Sequence, residues 1–274
     1  MAKQERTVRD HLDWLGYVQP TGLVVSASAL TKAGVILNPN DPGPQRRLQD
    51  VVIERPDPTR DDEPTPILSD FGSFANSVLG WNWSPRGFAG TPELAVPSDL
   101  ILHLADHDAT ITPSYGVRTG RGADTWQLLV HVVEDDQDLD GAVRNGHLEA
   151  SPHGQLERLL RHTGVPAGLL SNGRTLRLLS APKGESSGWI DFHVPDMLQT
   201  AGRPIINALT LLLHQRRLLQ GPESERLASL LTESRKYQND VSERLADAVD
   251  VEGASAHAPV GLRDEQQLNA QPPA

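Results

Sequence analysis

The chain is 274 residues long, enough for one or two domains with a real core. Its hydrophobic content of 38% and mean hydropathy of −0.39 suit a globular protein that also carries some non-globular sequence. The absence of cysteine excludes disulfides and thiolate metal sites, and a net charge of −11 counts against autonomous DNA binding, which relies on Lys and Arg to neutralise phosphates. No run of 18 apolar residues is present, so no membrane span is expected. The opening MAKQERTVRDHLDWL lacks an apolar leader region, so a cytoplasmic location is expected.

Taken in chain order, Thr7 to Leu15 predicts a short helix with Val8, Leu12 and Leu15 on one face and Gly16 as its stop. Leu23-Val24-Val25 is a short apolar run, followed by a second helix-compatible stretch to Leu37. Asn38 to Pro44, NPNDPGP, is a turn, and Gln45 to Ile53 fits a short helix or a strand. Pro56 to Pro66 reads as a Pro- and Asp-rich linker, too polar to pack. A helix is expected from Ser69 to Leu79, with Phe71, Phe74, Val78 and Leu79 inward. Trp81, Trp83 and Phe88 then lie within eight residues. They suit either a base-stacking platform or an aromatic lid over the core. The lid is the better reading, because only Arg86 places positive charge beside them. Leu100 to Leu104, Ala109 to Val117 and Thr125 to Val133 follow as strands, the last one central to a sheet. The acidic run Glu134 to Asp140 is a turn.

Ser151 to Ile190 is the most structured text in the chain. Ser151-Pro152 is a helix start, a hydroxyl cap followed by proline where a missing N–H costs nothing. Leu156, Leu159 and Leu160 keep helical spacing, and Gly164 ends the helix. Val165 to Leu170 runs into Asn172-Gly173, a strong hairpin signal, before Leu176, Leu178 and Leu179. Trp189 to Val194 is a further strand. Arg203 to Leu219 is an apolar helix, and Pro222 to Val249 a longer amphipathic one with Leu227, Leu230, Leu231, Val241 and Leu245 in a stripe. Residues 250–274 lack aromatics and periodicity, and should be disordered.

The wording of residues 151–190 resembles the region upstream of the methylase in large adenine-specific DNA methyltransferases of restriction and phage-defence systems, the type IIG enzymes and the methylases of BREX- and DISARM-like loci. Fused type I restriction subunits carry a comparable Asn-Gly-x-Arg-like hairpin in nuclease-like domains. The stretch Asp13 to Ser26, DWLGYVQPTGLVVS, and Glu233 to Val241, ESRKYQNDV, resemble the same proteins, so the likeness spans about residues 10–249. It implies an α/β fold with a mixed, degenerate restriction-endonuclease-like sheet, C-terminal helices and a disordered tail. The corresponding segments are 1–55, a linker at 56–66, a nuclease-like core at 67–195, a helical connector at 196–249 and the tail at 250–274. The resemblance further implies a methylase subunit or domain as partner, contact with DNA only indirectly, and a chain whose downstream methylase has been split off or lost.

The residues that carry such chemistry elsewhere are missing. Adenine methylation would imply an Asn-Pro-Pro-aromatic loop and a Gly-rich turn for S-adenosylmethionine. The only Asn-Pro pair is Asn38-Pro39, and the GVRTGRG stretch after Tyr115 has the wrong spacing. A nuclease of the implied type needs an acid-x-Lys step beside a second acid to hold Mg²⁺. The four lysines, Lys3, Lys32, Lys183 and Lys236, have Met1, Leu30, Ala181 and Ser234 two positions earlier. The remaining nuclease candidates are Asp99 and Asp108, with His131 where the strand would carry the motif. His103 and His107, flanked by Asp106 and Asp108, read as a strand residue and a turn residue more readily than as metal ligands. Arg158, Arg161, Arg174 and Arg177 are the candidate DNA contacts; Arg216, Arg217, Arg235 and Lys236 add further positive charge. Leu227, Leu231, Val241 and Leu245 are the candidate docking stripe for a methylase or a second copy of the chain. The expectation is a non-catalytic accessory or scaffold region needing no cofactor of its own. The alternatives are a Mg²⁺-dependent endonuclease with a divergent site and a truncated inactive remnant.

Overall fold

A computed structural model describes residues 2–57, 61–84, 87–119, 125–145 and 147–237. The first helix, α1 (Ala2–Val18), runs through Gly16 and ends where Gln19 leaves helical geometry at φ 45°. It buries His11 and Trp14, with Leu15 and Val18 beside them, while Leu12 is 57% exposed. The expected stripe of Val8, Leu12 and Leu15 is therefore rotated. Trp14 Nε1 donates to His11 Nδ1 at 3.2 Å, and His11 Nε2 donates to the Val35 carbonyl at 2.9 Å. An indole whose N–H is satisfied buries more apolar surface than a leucine and takes the inner face.

Two short helices follow, α2 (Ala27–Lys32), capped by the Ser26 hydroxyl, and α3 (Gly43–Gln49), with Pro44 in its first turn. The described flanks of the expected 56–66 linker are strand: β1 (Val52–Asp57) and β2 (Glu63–Leu68) pair antiparallel. Pro56 faces Pro64 across this two-stranded ribbon, where an edge position tolerates a missing donor. Only the base of the ribbon is apolar, at Ile67 and Leu68, so its charge density resembles that of an unpacked segment. Helix α4 (Phe71–Ser77) is capped by Asp70, whose carboxylate accepts from the Ser73 N–H at 2.7 Å. Trp81 and Phe88 behind it are fully buried and pack with Trp83, Phe71 and Tyr115. Trp81 Nε1 donates to the Leu213 carbonyl at 3.0 Å. The aromatics are a core cluster.

After β3 (Phe88–Ala89) the chain forms a small hairpin of β4 (Leu102–Leu104) and β5 (Ala109–Ile111), then the sheet strands β6 (Tyr115–Arg118) and β7 (Trp126–Val132). A second small hairpin, β8 (Val143–Asn145) with β9 (Leu148–Ala150), leads into α5 (Pro152–Thr163), then β10 (Gly168–Ser171), β11 (Thr175–Ser180) and β12 (Gly188–His193). The six-stranded sheet has the order β12-β11-β10-β7-β6-β3. All its pairings are antiparallel except β7 with β10, which are parallel and joined by the crossover through α5. The fold is α/β with a mixed sheet.

Alternation along β7 divides the core. Leu128 and Val130 face one apolar cluster, built with α1, α2, α4 and the C-terminal helices, and Leu129 faces another, built with α5 and the small hairpins. Helix α5 matches its sequence signature: the Ser151 hydroxyl accepts from the Gly154 N–H at 3.1 Å, and Gly164 closes the helix at φ 72°. The β10–β11 turn works differently from a bare Asn-Gly preference. Gly173 takes φ 79°, while the Asn172 side-chain oxygen accepts from the Arg174 and Thr175 N–H groups at 3.1 and 2.9 Å. A Cβ at Gly173 would meet nothing closer than 3.7 Å, so the cost of substitution is conformational. We expect Gly173→Val to destabilise by about 1–3 kcal/mol, read as a lower urea midpoint at unchanged m-value.

Following the sheet come α6 (Val194–Leu198) and α7 (Arg203–Leu213). The predicted continuation of α7 to Leu219 does not occur. His214 turns to ψ 139°, and Arg216–Gln220 form a π-helical turn. A further helix, α8, begins at residue 227 and is described to 237. Leu227, Leu230 and Leu231 on it are 0%, 1% and 2% exposed and belong to the main core, so they are filled positions and no free docking surface. Val241, Leu245 and the 250–274 tail lie outside the described residues, as do Arg86, Gly120 and Gly122. Residues 1–236 form one compact unit, in which residues 1–55, 67–195 and 196–236 contribute to one core. Among the described residues no helix is long and apolar enough to cross a membrane.

Candidate functional site

In open sheets with parallel strands, ligands favour the crevice beyond the carboxyl ends of those strands. Here that position lies past Val132 of β7 and Ser171 of β10. A cavity of about 380 Å³ opens there, lined by Asp57, Asp135, Asp136, Asp138, Arg174 and His193, among others. Its carboxylates outnumber its one arginine, which suits a cationic occupant better than a phosphate backbone.

The arginine is already engaged. Arg174 Nη2 donates to the Pro56 carbonyl at 2.6 Å, Nε to the Asp135 carbonyl at 3.2 Å, and Nη1 to the Thr65 hydroxyl, with Asp57 Oδ2 at 3.7 Å. It clasps the β1–β2 ribbon to the loop after β7. Arg177, two sheet positions inward of Thr175, is 5% exposed. Its Nε and Nη2 donate to Asp191 at 2.7 and 2.8 Å, and its Nη1 and Nη2 donate to Asp140 at 2.6 and 3.0 Å. The guanidinium also lies over the Trp189 ring at 5.4 Å. Burial alone would lower the Arg177 pKa, but the hydrogen bonds to Asp191 and Asp140 outweigh it and raise it. The hydrogen bond from Arg177 holds the Asp140 carboxyl below its usual range. His153 Nδ1 sits 3.2 Å from Arg177 Nη1 and accepts from it as a neutral ring, its pKa lowered by burial and then by that charge. Both hairpin arginines are thus internal fasteners.

The other candidate DNA contacts are placed differently. Arg158 is exposed on α5, and Arg161 pairs with Glu157 at 2.9 Å one turn away. Arg235 pairs with Glu185 at 2.7 Å and Lys236 with Glu233 at 2.9 Å. Three of these cations, Arg161, Arg235 and Lys236, therefore have internal acceptors.

The nuclease candidates do not converge. His131 lies on β7 opposite Leu170, its Nδ1 buried and without a hydrogen-bond partner, and burial lowers its pKa. Asp99 sits in the turn before β4, where Oδ2 accepts from Trp126 Nε1 at 3.3 Å. Asp108 is the exposed left-handed residue, at φ 44°, that closes the β4–β5 hairpin. His103 pairs its Nδ1 with the Thr110 hydroxyl at 3.1 Å across that hairpin, while His107 occupies its turn. Mg²⁺ demands several oxygen ligands in octahedral array, and the imidazole on β7 supplies none. Among the described residues no group of three or more His, Asp and Glu side chains is placed to hold a metal ion. The residues present do not fit the Mg²⁺ site that the resemblance implies.

Sequence reasoning did not find the partners of Arg177. Asp140 lies inside an acidic run that reads as solvated, and only the Leu178–Ile190 and Arg177–Asp191 register of β11 against β12 reveals Asp191 as its neighbour. The burial of histidines has a consequence for stability. Burial lowers the pKa of His11, His131, His153 and His214, with Arg47 and Arg216 adding to the effect at His214. Below a pH of about 6.5 the unfolded chain takes up these protons first, so stability is complete above that pH and falls beneath it. The slope is at most about 1.4 kcal/mol per pH unit for each such histidine. Carboxylates with lowered pKa, such as Asp70 and Asp140, act only below 3.8, so between pH 7 and 5 the histidines dominate. A urea midpoint that does not fall over that interval would refute this. No protein-family model, no curated protein and no solved structure matches this chain.

Proposed function

We propose that this chain is a non-catalytic accessory or scaffold region of a restriction–modification or phage-defence DNA adenine methyltransferase, acting in the cytoplasm with the methylase as its partner. The observation that carries the proposal is on β7. At the place where an endonuclease-like strand would present its acid-x-Lys step, the chain has Val130-His131-Val132, and the only polar side chain is a half-buried imidazole whose pKa burial lowers. The hairpin that resembles the family spends both arginines on internal pairs, which suits a rigid scaffold. A mixed sheet with one crossover helix is compatible with a degenerate endonuclease-like ancestry. S-adenosylmethionine belongs, in this reading, to the methylase.

The test is direct. Purified protein should leave supercoiled and linear DNA uncut with either Mg²⁺ or Mn²⁺, and should show no heat of binding with S-adenosylmethionine. Metal-dependent cleavage that vanishes in Asp99→Ala or Asp108→Ala protein would restore the endonuclease reading. Co-purification with a tagged adenine methylase from the same host supports the scaffold, and a chain that neither joins the methylase nor alters its activity is an inactive remnant.

A further inference from the structure

On the opposite side of the sheet from Arg177, a second and larger cavity of about 580 Å³ lies between the α3 segment and the end of α7, and its chemistry is different. Three arginines line it, Arg47 from α3 and Arg216 and Arg217 from the π-helical turn. Arg217 is paired, reaching the Glu225 carbonyl at 3.0 Å and its carboxylate at 3.4 Å. Asp41, also on the wall, has its carboxylate accepting from the Gly43 N–H at 2.9 Å. Among the described residues neither Arg47 nor Arg216 has a carboxylate partner. Both charges nevertheless act on the same imidazole, His214, which lies in the cavity wall and whose Nδ1 accepts from the Arg216 N–H at 3.2 Å. Two arginines without a carboxylate partner thus line the same cavity as His214.

A second feature points to a ligand. Asn207 on α7 is 6% exposed and lines this cavity. Its amide nitrogen donates to the Asn38 and Asp41 carbonyls at 2.9 and 3.1 Å, which fixes the orientation of the side chain because both acceptors demand N–H. Its Oδ1 is then left buried with no donor. Buried acceptors without partners are rare and call for a donor from outside the chain. The wall also includes a π-helical turn, closed by the Gly221 N–H on the Arg216 carbonyl at 2.6 Å, a rare geometry that is frequent at functional sites.

We infer that this cavity binds a sugar phosphate, free or as part of a nucleotide. Its phosphate is held by Arg47 and Arg216, and a sugar hydroxyl donates to Asn207 Oδ1. Guanidinium groups match phosphate oxygens in bidentate geometry, and charge-assisted bonds of this type are roughly twice as strong as neutral ones. The hydroxyl supplies what the phosphate cannot, a donor for the orphaned oxygen. The cavity is independent of the scaffold reading and of the acidic crevice beyond β7.

Titration calorimetry of the full chain with ribose 5-phosphate, adenosine 5′-monophosphate and inorganic phosphate tests this. Ribose 5-phosphate should bind saturably and about tenfold or more tightly than inorganic phosphate, the value of one good hydrogen bond to a buried acceptor. Adenosine 5′-monophosphate binding more tightly still assigns a nucleotide; its exclusion assigns a smaller sugar phosphate. Arg47→Gln with Arg216→Gln should reduce affinity at least about tenfold at an unchanged melting temperature, because both side chains are exposed, and lysine at both positions should restore part of it. Equal affinity for ribose 5-phosphate and phosphate, no saturable binding at millimolar ligand, or unchanged affinity in the glutamine variant would each overturn the assignment.

Discussion

Arg177→Leu is expected to lower stability by about 3–5 kcal/mol, and so the thermal midpoint by roughly 10 °C in a unit of this size. The substitution removes the cation and keeps a similar apolar stem, so little of the loss comes from a cavity. What remains is a pair of carboxylates that had four charge-assisted bonds between them. They do not suffer equally. The Asp140 side chain is 63% exposed and recovers much of its hydration, whereas that of Asp191 is 23% exposed and lies on β12 opposite Arg177. Most of the penalty therefore falls on Asp191. Changing Asp191 to leucine as well should return a substantial part of the loss, since a buried ion pair replaced by packed apolar groups is often neutral. Arg177→Lys should fall between, keeping charge while losing both bidentate contacts. Melting curves followed by circular dichroism on the three variants decide it. An Arg177→Leu protein with the wild-type midpoint would mean that the guanidinium is not a structural fastener, and its DNA-contact reading would return.

The parts legible in the sequence were those set by local rules. Ser151-Pro152 and Gly164 bound α5 in the structure, Gly173 holds a positive φ, and the apolar run TWQLLVHVV supplies β7 near the middle of the sheet. Non-local effects defeated the rest. Residues 56–66 look unpackable from composition, yet Arg174, distant in sequence, bonds to Pro56 and Thr65 and holds their ribbon in place. Leu12 loses its inward place to Trp14 because His11 offers the indole a partner. The break at His214 has no proline or glycine to announce it. It follows from tertiary contacts, the Gln215 N–H donating to the Leu79 carbonyl at 2.8 Å and the ring packing against Gly80. The same non-locality hides the cavity walls: Arg47, Asn207 and Arg216 share no motif, and only the fold brings them together.

Helix α8 carries the largest expected effect. Leu231→Glu should destabilise by more than about 4 kcal/mol, enough to leave most of the chain unfolded or insoluble at 37 °C. The site is 2% exposed and lies within the main apolar core. The helix is also tied to the rest of the unit by two polar contacts one turn after that leucine. Ser234 Oγ accepts from the Ser26 N–H at 2.9 Å at the start of α2, and Arg235 reaches Ser180 Oγ at 3.0 Å at the end of β11. A charge at residue 231 must therefore either be buried or pull α8 away from both. Thr232→Glu, on the exposed side of the same turn, should change stability by no more than about 0.5 kcal/mol and serves as the control for charge alone. The comparison separates core from interface. If Leu231→Glu folds with the wild-type midpoint yet loses a methylase partner or a self-associated form in light scattering, the leucine is a docking residue after all. If instead it unfolds while Thr232→Glu does not, any docking by this segment must be carried by residues beyond 237, where Val241 and Leu245 continue the stripe in the sequence.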